Sequence, residues 1–84
     1  MLHLCVGFYP NGDFVVNTVC DKNLQSNIEY NKTFRPGRFY FVDGEHVCGG
    51  LLGGKAKDDF VQDCKERMKD LNLKAGNIDS SPYL

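Results

Sequence analysis

Four glycines within six positions, Gly49, Gly50, Gly53 and Gly54, divide the chain into two kinds of pattern. Before them, apolar residues alternate or run in short blocks bounded by turn residues. After them, they recur at helical spacing. Glycine lacks the Cβ that bars positive φ, so such a loop can turn successive backbone N–H groups toward one point. Where it feeds a helix, the free N–H groups of the first turn and the dipole favour an anion. Gly49, Gly54 and Lys55 fit the first seven positions of the pattern G-x-x-x-x-G-K-[ST], but the eighth is Ala56, which has no hydroxyl for magnesium. A chain of 84 residues with one such helix also lacks room for the parallel sheet and distant acidic residue of a nucleotide hydrolase. That enzyme class is excluded, and two readings remain. One is a structural turn with Leu51 and Leu52 dipping into the core. The other is an anion site made by Gly49, Gly50, Gly53, Gly54 and Lys55, with Arg35 and Arg38 as further cations. Lys55 and Lys57 attract an anion while Asp58 and Asp59 repel one, and the balance favours the turn.

Ahead of the glycines, residues 2–9 alternate on a period of two, with Leu2, Leu4, Val6 and Phe8 in phase, as a strand does. Asn11-Gly12 between two β-rich runs predicts a two-residue type I′ hairpin into a returning strand at 14–20. That register sets Tyr9 against Phe14, Phe8 against Val15, Val6 against Asn17 and Leu4 against Val19. Residues 21–27 are dense in Asp, Asn and Ser and read as a connection. In residues 28–34, Ile28, Tyr30 and Phe34 alternate with Glu29, Asn31 and Thr33, which predicts a half-exposed strand. Arg35-Pro36-Gly37-Arg38 reads as a turn, 39–42 as a strand, Asp43-Gly44 as a type I′ turn and 45–48 as the last strand.

A helix is predicted from about Lys57 to about Leu73. Phe60, Val61, Cys64, Met68 and Leu71 make its apolar stripe, Asp63 and Arg67 an i,i+4 pair, and Lys74 with Gly76 its end. The fold class is α+β: a small antiparallel meander of four to five strands packed by one C-terminal amphipathic helix. Residues 1–76 form a single domain and 77–84 a short tail.

One helix covers one face of a small sheet, yet the first hairpin and the 39–42 strand are apolar on both faces. The expectation is an uncovered face that serves as an interface, with Tyr9, Phe14, Val16 and Tyr40 lying on it. The competing expectation is a sheet that curls on itself or is covered by the tail.

Other chemistries fare worse. His3-x-Cys5 and His46-x-Cys48 supply a Cys2His2 inventory, but residues two apart on a flat strand diverge too far to chelate easily together, so no metal is assigned. No orienting acid or oxyanion hole accompanies the cysteines, Asp58 and Asp59 do not face each other, and no catalytic residue is assigned. Residues 32–41 interleave Lys32, Arg35 and Arg38 with four aromatics, as a hairpin that stacks unpaired bases would. A net charge of -1 argues against nucleic acid as the partner.

No apolar run approaches the ~18 residues of a membrane span. The N-terminus lacks the basic region and cleavage site of a secretory signal, so the expected location is cytoplasmic and the four cysteines are expected to be reduced. The functional expectation is a small non-enzymatic regulator or inhibitor that needs no cofactor. It associates with a protein partner or with itself through the apolar sheet face, as accessory proteins of phages and mobile elements do. The alternatives are sequestration of a phosphate-bearing, nucleotide-like molecule at the glycine loop and single-stranded nucleic-acid binding by residues 32–41.

Overall fold

A computed structural model describes residues 1–71. The fold is α+β, an open four-stranded antiparallel sheet with two helices. The elements are β1 (Leu2–Phe8), β2 (Phe14–Cys20), α1 (Asp21–Phe34), β3 (Phe39–Val42), β4 (Glu45–Cys48) and α2 (Gly54–Asp70). The strand order is β2-β1-β3-β4, so the first strand is central and the sheet is no simple meander. β1 pairs with β2 on one side and, through Phe8 opposite Phe39 and Val6 opposite Phe41, with β3 on the other.

The expected connection at 21–27 and strand at 28–34 are one helix, α1. Its apolar stripe is short: Leu24 and Ile28 are four apart and Asn31 follows in phase, buried among them. The Asp, Asn and Ser residues that resemble a loop are mostly its exposed face. Tyr30 and Phe34, also four apart, stack on each other at 5.1 Å between ring centroids. Ile28, Tyr30 and Phe34 satisfy a period of two as well as they satisfy helical spacing, and packing on the sheet decides between them. The helix stops at Arg35, whose N–H still donates to Asn31 O, and Pro36 cannot continue it. Arg38 N then donates to Arg35 O at 3.1 Å, closing the expected turn.

The first hairpin is also corrected by one residue. Phe8 faces Phe14, Val6 faces Val16 and Leu4 faces Thr18. A type I′ turn needs positive φ at both central residues. Here Gly12 has it, but Asn11 instead uses its side-chain oxygen to accept the N–H of Asp13 at 3.0 Å, and Tyr9 N donates to Asp13 O. A slip of one exchanges the faces of the whole strand, so Phe14 and Val16 lie with Phe8 and Val6. At Asp43 (φ 51°) and Gly44 (φ 86°) both residues are positive and the type I′ turn forms as expected.

Each face of the sheet has its own core. On one, Leu4, Val6, Phe8, Phe39 and Phe41 meet Cys64 and Met68 of α2, with Phe60 and Val61 at the edge. On the other, Cys5, Val19, Tyr40 and Val42 meet Leu24 and Ile28 of α1. The face expected to stand uncovered is therefore covered by α1. α2 begins at Gly54, three residues before the expected start, and Lys55 pairs with Asp59 one turn on at 2.8 Å. Arg67, expected to pair with Asp63, instead donates to Gly12 O at 2.9 Å and lies over the rings of Phe8 and Phe14. All four cysteines are free. The end of the expected helix and the tail at 77–84 lie outside the described residues.

Candidate functional site

α1 ends where the 35–38 turn meets the loop that follows β4, and a cleft of about 190 Å³ opens there. Lys32, Arg35 and Arg38 line it, together with Asn31, Pro36, Cys48 and Gly49. No carboxylate is among the lining residues, and none of the three cations has an ion pair among the described residues. In a chain of net charge -1, this is a local excess of three positive charges.

The three cations are held differently. Arg38 is fixed: its Nη2 donates to Asn31 Oδ1, and its guanidinium lies 5.6 Å from the ring centre of Tyr9 and 5.9 Å from that of Tyr40. Its stem occupies the space over Gly7, where a Cβ would come within 2.5 Å of Arg38 Cδ. Its Nε is buried without a hydrogen-bond partner. Arg35 is exposed, stacks over Tyr30 at 5.7 Å and gives one N–H to Phe34 O. Lys32 is exposed. Asn31 is the keystone, since its amide nitrogen donates to Asn27 O at 2.8 Å while its oxygen receives Arg38.

Two glycines of the neighbouring loop pass close to other groups, Gly50 against backbone. A Cβ on Gly49 would stand 2.6 Å from His46 Nε2, and one on Gly50 would stand 2.8 Å from Gly37 O. Gly49 thus passes close to His46 and the Phe39 ring, and Gly50 close to the 35–38 turn. Leu51 and Leu52, expected in the core, are exposed, with Leu51 at 95% of its full accessibility.

Of the residues proposed for an anion, Arg35, Arg38 and Gly49 are brought together in the cleft. Gly53, Gly54 and Lys55 are not among its lining: Gly53 and Gly54 open α2, and Lys55 is paired with Asp59. Gly50 serves loop packing. The residues expected to share an interface face do not share one. Tyr40 is 2% exposed and its hydroxyl donates to Asn27 Oδ1, Phe14 and Val16 lie on the α2 side, and Tyr9 sits by Arg38. In the basic-aromatic stretch, Phe39, Tyr40 and Phe41 are buried, which leaves Phe34 as its only exposed aromatic. Sequence reasoning missed Asn31 and the Tyr30–Phe34 stack. Both follow from spacing once residues 21–34 are read as a helix.

Burial pushes the thiol of Cys64 up to about 11 and raises Cys5 and Cys48, the last against the pull of Lys32 and Arg38. Burial raises Tyr40, and it lowers His46 with help from Lys57. His3 has both ring nitrogens occupied, Nδ1 by Asp43 Oδ2 at 2.7 Å and Nε2 by Asp21 Oδ1 at 2.5 Å, so neither is free to act as a base. Among the described residues, no three His, Cys, Asp or Glu side chains converge as metal ligands.

The His3 cluster carries a pH dependence. Hydrogen bonds to Asp43 and then Asp21 raise His3 above its ordinary 6.5, while His3 and the amino terminus lower Asp21 below its ordinary 3.8. The His3 contribution is fully present below 6.5 and is lost as pH rises through the raised folded value. The Asp21 contribution is present above 3.8 and is lost as pH falls through the lowered one. The urea midpoint is therefore expected to be higher at about pH 5.5 than at about pH 9, with His3→Gln flattening that difference. Equal midpoints for the wild-type chain would refute a charged His3.

No family model, no curated protein and no solved structure matches this chain. No helix among the described residues is long and apolar enough to cross a membrane.

Proposed function

We propose that this chain is a small non-enzymatic protein that acts by occupying another protein. It docks through the end of the molecule where the last turns of α1, the 35–38 turn and the 49–53 loop come together. The observation that carries this reading is exposure: Phe34 at 62% and Tyr30 at 48% stand in water beside Arg35, which has no ion pair among the described residues. Leu51, at 95%, stands in water on the loop whose first residue, Gly49, lines the same cleft as Arg35. Nothing in the two cores requires these side chains to be apolar. Aromatic side chains and arginine are the residues that anchor protein interfaces.

Charge selects the occupant. The cations favour an acidic surface on a different protein. Two copies related by a two-fold axis would set the same cations against each other, which disfavours self-association through this end. Steric occupation needs no catalytic group. Action as a regulator or inhibitor follows if the covered surface is the partner's working one.

The test is a photo-crosslinking residue placed at Phe34 or Leu51 in the cells that make the protein. A control at Lys22, on the same helix and about 18 Å away along its axis, probes the other end. One protein, joined at positions 34 and 51, absent at 22 and displaced by excess wild-type chain, is the expected result. Crosslinks to nucleic acid, equal labelling at position 22 or no product would each overturn the reading.

A further inference from the structure

We infer that the cleft beside this docking surface is a binding site for a phosphate-class oxyanion. Four observations carry it. Three cations line one small opening with no carboxylate among them, and the described residues offer them no ion pair. Cys48, the other ionisable group there, is kept as a neutral thiol by burial and adds no negative charge. Arg38 is already locked by Asn31 and two tyrosine rings, so its charge is in place before any ligand arrives. Lys32 and Arg35 are exposed, have no ion pair among the described residues and can close on the anion from outside.

One effect opposes the site. α1 ends here, and the negative end of its dipole amounts to roughly half a charge. Three full cations outweigh it. They match a doubly charged phosphate better than a single carboxylate, and planar guanidinium groups suit two oxygens at once. Size limits the ligand further. At about 190 Å³ the opening is smaller than the range of roughly 300–1,000 Å³ in which small molecules are engulfed. It therefore takes the anionic head and leaves the rest of the ligand outside, which is not how a sequestered nucleotide would sit. Lys55 and the start of α2, the core of a phosphate loop by sequence, have no part in it.

The experiment is an amide NMR titration of the full chain with inorganic phosphate, against sodium chloride at matched ionic strength. Saturable shifts at Asn31, Lys32, Arg35 and Gly49 that chloride does not reproduce are expected. Lys32→Gln and Arg35→Gln, both at exposed positions, should each keep the native spectrum and weaken binding by about tenfold. Shifts that chloride reproduces, or affinity unchanged in both variants, would overturn the site. A parallel titration with a nucleoside monophosphate identifies the source. Tighter binding than inorganic phosphate points to an organic phosphate, and equal binding to the free ion, with the site upheld in either case. Because only small ligands are used, the result stands apart from the docking of a protein partner.

Discussion

Phe39→Ala is expected to lower the melting temperature by roughly 15–30 °C, the largest stability effect of any single truncation considered. The ring is fully buried. Its centroid lies 4.7 Å from that of Phe60 on α2 and 5.9 Å from His46 on β4. Its edge atoms are also what the backbone of Gly49 and Gly50 rests against, since a Cβ on either glycine would come within about 3 Å of the ring. Deleting a buried phenylalanine costs about 3–5 kcal/mol, lost transfer energy plus an unfilled cavity. The net stability of a domain is roughly 5–15 kcal/mol, and a chain this short sits toward the lower end. Thermal unfolding followed by circular dichroism checks it. A drop of only a few degrees would mean that α2 is not seated on β3 as described.

The second large effect is at Asp43, which ties the β3–β4 turn to β1. Its Oδ1 accepts the Leu4 N–H at 3.0 Å, its Oδ2 bonds His3, and its own N–H donates to Leu4 O at 2.8 Å. Its backbone is left-handed at φ 51°. Asp43→Ala leaves the Leu4 N–H without its side-chain partner, at about 1–3 kcal/mol, and removes the short polar side chain that eases a left-handed backbone. A loss of about 1–3 kcal/mol is expected by urea denaturation, before counting the His3 bond. Asp43→Asn keeps an acceptor and tolerates the left-handed backbone, so it should lose clearly less while weakening the pH dependence at His3. Equal losses in the two variants would contradict this division of roles.

The parts of the fold that could be read from residues are those with two agreeing signals. β1 shows strict alternation, the β3–β4 hairpin has Asp43-Gly44 at its tip, and α2 has both an apolar stripe and a charged remainder. α1 was hidden because its stripe is only Leu24 and Ile28 completed by a buried asparagine, while Tyr30 and Phe34 face outward and counterfeit a strand. That one misreading also created the supposed bare sheet face, since α1 is what covers Tyr40 and Val42. The first hairpin register turned on whether Asn11 would take positive φ or cap Asp13 with its side chain, and Asn-Gly permits both.

For the site, residue types were legible and their meeting was not. Arg35 and Arg38 were visible as cations and Gly49 as a backbone of low bulk, but they converge only because α1 terminates at Arg35 beside the end of β4. The glycine loop drew attention for the anion chemistry of its residues. Its physical role is to let the backbone pass close over Phe39 and Gly37, and that passage leaves Leu51 outside.

The measurement that bears most directly on the central claim is the affinity of the partner captured at Phe34 for two chains, wild type and the Phe34→Glu, Leu51→Glu double variant, by titration calorimetry. Both positions are exposed, so the melting temperature should not change. A weakening of about 100-fold or more is expected, since two apolar anchors are lost and two acids now meet an acidic surface. Affinity within about twofold of wild type would contradict docking through this end of the molecule.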